Sequence, residues 1–209
     1  IIDILHFDNV KRNCYQFFPI NSKSKDYHFG LAIFSRYRIL QGDYVFKSDT
    51  SSNAAIYVDI KYKGDTLRIY NVHLASMRMD ANDYAMGKEI VSHGMDDPNL
   101  DKKAKILSKK VGKAFLERQG QAETLRAHID SCRYPVIVCG DFNDSPVSYA
   151  YHKIGHGLKD AFRTSGGGRG HTYCGDAFPS YRIDYIFHDS RFKSFGFTTY
   201  DSLTVSDHY

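Results

Sequence analysis

The sequence predicts a single α/β domain, and three observations carry that prediction. Short apolar runs bounded by turn residues recur along the chain, two β-rich runs are joined by Lys63-Gly64-Asp65, and a stretch after Pro98 repeats its apolar residues at helical spacing. A chain of 209 residues with 42% hydrophobic residues can bury a sizeable core and falls within the span of one domain. A charged fraction of 25%, with 16 Tyr and 14 Phe, argues against disorder and for packed sheets of polar-tipped rings.

From the N-terminus, the stretch to about Asn21 has no firm period and is assigned a helix end followed by a strand at Cys14–Pro19. Gly30-Leu31-Ala32-Ile33-Phe34-Ser35 is a short apolar run between turn residues, the pattern of a buried strand. Ala54–Tyr62 and Thr66–His73 then form a hairpin. Met77 to Asn99 is polar and reads as a long excursion or irregular structure. A helix follows, capped near Asp97 with Pro98 in its first turn, and Ile106, Val111, Ala114, Ala122, Leu125 and Ile129 mark its apolar stripe to about Ser131. Its lysines, among them Lys102, Lys109 and Lys113, fit a solvated face better than a phosphate track.

Pro135-Val136-Ile137-Val138-Cys139-Gly140 is apolar on both faces and is expected at the centre of a sheet. Helical or turn structure after Pro146 leads to Leu158–Phe162, and Arg182–His188 and Phe192–Tyr200 are the last predicted strands. Ser165 to Gly170 holds four glycines but lacks the Lys-Ser or Lys-Thr ending of a nucleotide-binding loop.

A net charge of +4 favours anionic partners but falls short of a basic stripe dedicated to DNA. Cys14, Cys132, Cys139 and Cys174 make no CxxC pair, so neither a zinc site nor a disulfide framework is expected. The sequence has no apolar run of about 18 residues that could span a membrane.

Polar clusters recur at the ends of the predicted strands: Asn71-x-His73, Asp141-x-Asn143, His171-Thr172, Asp184 and Asp207-His208. Sheets present sites at an edge in this way. Asp141 and Asn143, two residues apart after the strongest strand, would supply an oxygen ligand for a hard cation and a donor for a phosphoester oxygen; alone, the same motif is also an Asx-turn. Asp184 interrupts a strand otherwise fit for burial and needs a partner, for which His208 is the candidate. His73 shares a face with Asn71, although a lone histidine at a strand end is more often a satisfied polar group.

Taken in order, GLAIFSR, NVHL, GDFND, RIDYIF and SDH resemble the successive signatures of the endonuclease/exonuclease/phosphatase superfamily, from about Gly30 to the last residue. The resemblance implies a deoxyribonuclease I-like four-layer sandwich, two mixed β-sheets face to face with helices outside. It also implies phosphoester hydrolysis with Mg2+ or Mn2+. On it, Asp184 orients His208, which acts as general base or stabilises the phosphorane; Asp141 holds the attacking water; Asn143 and His73 bond the phosphate oxygens; Asp207 contributes to the metal environment. Asn71, Thr172 and Arg169 are assigned to substrate binding.

Members of the family carry an Asn and a metal-binding Glu several tens of residues before GLAIFSR, and the first 29 residues here contain no Glu. Residues 1–209 are therefore expected to be one domain cut short at its N-terminal end and just before a C-terminal strand, with the principal Glu ligand upstream of residue 1. The expected function is a metal-dependent phosphodiesterase or nuclease with a nucleic acid, phospholipid or inositol phosphate substrate and no obligate protein partner. A phosphomonoesterase, a lipid phosphodiesterase or a non-catalytic binding protein of the same fold are the alternatives.

Overall fold

Ten strands and four helices follow one another along the chain: β1 (Tyr15–Phe17), β2 (Ser22–Lys23), β3 (His28–Phe29), β4 (Ile33–Ser35), β5 (Ile39–Lys47), β6 (Ala54–Tyr62), β7 (Asp65–His73), α1 (Ala81–His93), α2 (Leu100–Asp130), β8 (Val136–Asp141), α3 (Tyr149–Gly155), β9 (Lys159–Asp160), α4 (Ala161–Ser165) and β10 (Asp184–His188). This is a computed structural model that describes residues 15–17, 22–23, 28–93, 99–174, 181–202 and 206–209, and the elements are those of these residues. Most of the opening stretch, with Cys14, and the cap expected at Asp97 and Pro98 lie outside them.

Six strands make one mixed sheet in the order β5-β6-β7-β8-β10-β9, in which only β7 and β8 run parallel. Alternation gives the sheet two faces. On one, Tyr70, Val72, Val136, Val138, Tyr185 and Phe187 pack against Ala122, Leu125 and Ile129 of α2 and against α3. On the other, Val58, Ile60 and Leu67 meet Phe17 and Ile33, from the two-stranded β1–β4 sheet. Helices, a mixed sheet and a second sheet thus follow the layer order of the expected sandwich. Among the described residues no helix is long and apolar enough to cross a membrane.

The β6–β7 hairpin turns on Lys63 and Gly64, both with positive φ (48° and 98°), as a two-residue turn matched to strand twist requires. One strand goes unread in the sequence, and three expectations need correction. Strand β5 escapes sequence reading because register shifts between Ile39 and Gln41 and between Tyr44 and Phe46 break the period of two. β4 is only half-buried, with Phe34 39% exposed, because it pairs with the three-residue β1 rather than lying in the large sheet.

Helix α1 occupies part of the supposed excursion. The Asp83 amide donates to Asp80 Oδ1 at 2.9 Å and the Asp80 amide to Asp83 Oδ2 at 2.9 Å, a reciprocal cap built from two aspartates. Lastly, residues 193–200 form no strand.

Candidate active site

Pairing register brings three of the expected residues into one row. His73 of β7 stands opposite Asp141 of β8, and Asp141 stands opposite Asp184 of β10. Their side chains share the sheet face turned away from α2, at the end where β7 and β8 both stop. His73 Nε2 lies 3.7 Å from Asp141 Oδ2.

His208 reaches this row from the far end of the chain. Its Nδ1 lies 2.8 Å from Asp184 Oδ2, so with a carboxylate as acceptor Nδ1 carries a proton and, in the neutral ring, Nε2 is the nitrogen without one. The segment is held by backbone: the Cys174 amide donates to the Asp207 carbonyl (2.9 Å) and the Tyr209 amide to that of Thr172 (2.8 Å). Tyr173 packs edge-on against the His208 ring, with centroids 5.3 Å apart.

The Gly140–Asp144 turn arranges the rest. Asn143 takes a left-handed conformation (φ 51°), and its amide donates to Asp141 Oδ1 at 2.7 Å, so the Asx-turn and the functional cluster are one structure. Asn143 Nδ2 donates both to Asp141 Oδ2 (2.9 Å) and to the Leu74 carbonyl (3.0 Å), which uses both amide hydrogens. The buried Asn53 donates to the same carbonyl at 2.8 Å.

A cavity of about 520 Å³ opens over this arrangement, and His73, Asp141, Asn143, Asp207 and His208 line it. Asn71, Thr172, Asp184 and Arg169 are not in its lining. Asp184 stands behind the lining and is bonded to His208. The Asn71 side chain donates from Nδ2 to the Ala32 carbonyl at 3.1 Å. Thr172, expected at the substrate, is 5% exposed, and its hydroxyl accepts the amides of Ile183 (3.1 Å) and Asp184 (3.0 Å), which fixes where β10 begins. Arg169 lies in a separate hollow with Phe162, His171, Phe197 and Asp201.

Several residues at the site were not singled out from sequence. Arg118 of α2 is 2% exposed and donates from Nε to Asp144 Oδ2 (2.8 Å) and from Nη1 to the Ala75 carbonyl (2.8 Å), while Gln121 accepts the Ala75 amide at 2.8 Å. The signal was present: Arg118 falls four residues from both Ala114 and Ala122, where the apolar stripe calls for an apolar side chain. Arg182 has the same structural character. Its guanidinium bonds Asp160 at 2.7 Å and anchors the chain entering β10.

Electrostatics mark the row as strained in charge. Burial pushes the Asp141 carboxyl up to about 6, helped by the neighbouring negative charges of Asp184 and Asp207. His208 is raised above the usual imidazole value by its bond to Asp184, and His73 is lowered, first by burial. The native state keeps the Asp141 proton up to about pH 6 while an unfolded chain releases it near 4, so ionising this group costs stability as pH rises through that window. The unfolding free energy of Asp141→Asn minus that of the wild type, measured by urea titration in EDTA, is expected to rise by roughly 1–3 kcal/mol between pH 4 and pH 8. A difference flat with pH would remove the charge crowding inferred here.

Hard oxygen donors suit a magnesium-like cation, and Asp207 and Asp141 bring two carboxylates to the cavity wall. Among the described residues no three metal-ligating side chains converge, so these residues fit part of a coordination shell and not a whole one.

A strand-end row of acid and imidazole groups is thus closed by His208, which a separate segment of the chain brings to Asp184. A sequence profile of the Endonuclease/Exonuclease/phosphatase family matches residues 3–208, and the chain belongs to that family. Solved structures share its fold: a family protein from Leptotrichia buccalis (16% identity, TM-score 0.52, covering 86% of this chain and 61% of that one), the human nocturnin catalytic domain with bound sulfate (15%, 0.56, 90% and 65%), and a beta toxin mutant from Staphylococcus aureus with bound magnesium ions (18%, 0.55, 89% and 66%). The chain spans between 61% and 66% of the length of these three. No curated protein matches the sequence.

Proposed function

We propose that this chain carries the hydrolytic site of a divalent-metal-dependent phosphodiesterase or nuclease. The observation that carries the reading is the His208–Asp184 bond of 2.8 Å in register with Asp141 and His73 across three strands. In the reaction a water oxygen bonds to phosphorus as the opposite P–O ester bond breaks; the water loses a proton and the departing alkoxide gains one. Asp141 or His208 Nε2 takes the water proton, and Asp184 fixes the tautomer that leaves Nε2 able to do so. His73 and Asn143 bond the non-bridging oxygens, for which Asn143 must exchange its bond to Asp141 Oδ2 for one to phosphate. Mg2+ or Mn2+, held in part by Asp207 with other ligands from outside the described residues, would neutralise charge on the phosphoryl group.

The test is hydrolysis of bis(p-nitrophenyl) phosphate by the full-length protein. Turnover is expected with added magnesium or manganese and is expected to disappear in excess EDTA. Undiminished turnover in EDTA would remove the metal from the mechanism, and no turnover under any metal would favour a binding protein that keeps the fold.

A further inference from the structure

Between β7 and α1 the chain gives Ser76, Met77, Arg78 and Met79 to the cavity lining, and both ends of this segment are pinned. Ala75 has its carbonyl bonded by Arg118 and its amide by Gln121, and Asp80 is locked to Asp83 by the reciprocal cap. Between these points Arg78 takes a left-handed backbone conformation (φ 47°), which costs a residue with a Cβ strain that glycine avoids. An extended segment turns alternate residues to opposite sides. Here Met77, Arg78 and Met79 all line the cavity, which the turn at Arg78 makes possible.

Arg78 also differs from the other cations nearby. Arg118 lines the cavity but its guanidinium is committed to Asp144 and Ala75. On α2, Lys110 pairs with Asp83 and Lys103 with Glu89. Among the described residues no lysine lines the cavity, and Arg78 is the one guanidinium in its lining with no hydrogen bond or ion pair to any of them. A single free guanidinium suits one further anionic group rather than a polyphosphorylated ring, since its planar fork matches one phosphate. The apolar lip of Met77, Met79, Tyr84 and Phe115 offers a seat for an uncharged planar group between the two, in a volume of about 520 Å³.

We propose that Arg78 is a specificity-determining residue that binds a second phosphate of the substrate, one nucleoside away from the scissile one. The proposal rests on the phosphodiesterase reading above and adds the substrate class: a nucleoside phosphodiester bearing another phosphate on the same sugar.

The experiment compares two chromogenic esters, thymidine 5′-(p-nitrophenyl phosphate) with and without a 3′-phosphate, under magnesium or manganese. Wild-type protein is expected to prefer the 3′-phosphorylated ester by roughly 10-fold or more in kcat/KM, the scale of one charge-assisted contact. Arg78→Ala should bring that ratio close to one, and Arg78→Lys should keep part of it. Arg78→Gly separates binding from folding: it should lose the preference while its melting temperature stays level or rises, because glycine relieves the left-handed strain. A third ester, whose 3′-phosphate continues into another nucleoside, tells a nucleic acid strand, on which the preference persists, from a free nucleoside bisphosphate, on which alone it is seen. Equal kcat/KM for the first two esters in wild type, or an unchanged preference in Arg78→Ala, would overturn the assignment while leaving the hydrolase reading intact. Failure to hydrolyse either ester by protein that turns over bis(p-nitrophenyl) phosphate would overturn the nucleoside substrate class alone, whereas failure on both esters and on bis(p-nitrophenyl) phosphate would remove the hydrolase reading as well.

Discussion

His208→Ala is expected to lower kcat for a chromogenic phosphodiester by about 10²–10⁴-fold, the range of a positioned acid–base group. The expectation follows from what the imidazole has around it. Its Nδ1 proton is committed to Asp184 at 2.8 Å, its ring is braced by Tyr173, and it lines the cavity with Asp141 beside it. The alanine variant should fold, because His208 is only partly buried and its segment is held by backbone bonds at Asp207 and Tyr209. Asp184→Asn is the companion: an amide can turn its NH2 toward Nδ1, which favours the tautomer with its proton on Nε2, and kcat should fall while KM changes little. Steady-state kinetics under saturating metal check both. Activity within threefold of wild type in His208→Ala would end the assignment of any proton transfer to this ring.

Gly140→Ala is expected to destabilise the protein by at least about 4 kcal/mol, combining overpacking with forbidden backbone geometry. Gly140 has φ +140°, and a Cβ there would meet the Val72 carbonyl oxygen at 2.0 Å and the Val72 amide nitrogen at 2.7 Å. These are backbone atoms of the paired strand and cannot swing aside. Relief would require β7 and β8 to part at the pair just before His73 and Asp141, so any folded fraction should also lose activity. Chemical denaturation together with the phosphodiester assay reads both effects; a variant with wild-type stability would show that the strands do not approach this closely.

The candidate site was legible wherever its chemistry sits on a strand. Apolar runs mark β7, β8 and β10 as strands, and once they pair, His73, Asp141 and Asp184 have little freedom in where they point. Residues with long-range duties were harder to see. Thr172 looks like a substrate contact in sequence because His171-Thr172 is one of the polar clusters, whereas its hydroxyl is turned inward to two amides of the chain entering β10. Asn143 likewise combines two readings that seemed alternatives, since the Asx-turn is what holds its side chain against Asp141. Arg118 and Gln121 pass for ordinary helix residues until Ala75 is found between them. Helix α1 and strand β5 were missed for a related reason: an aspartate pair forms the cap, and bulges interrupt the alternation.

What the amino-acid order determined by itself is the set of apolar segments, the hairpin turn at Lys63-Gly64, and the presence of acid, amide and imidazole groups just where strands stop. These depend on neighbours a few residues away, through backbone preference and side-chain period. Which of those groups share a cavity was decided only in three dimensions, by a parallel pairing of β7 with β8 across an intervening helical excursion and by the return of His208 to Asp184 over 24 residues. Local patterns cannot encode such meetings, because strand order and the path of the connections are set by how both faces of the sheet find cover from water.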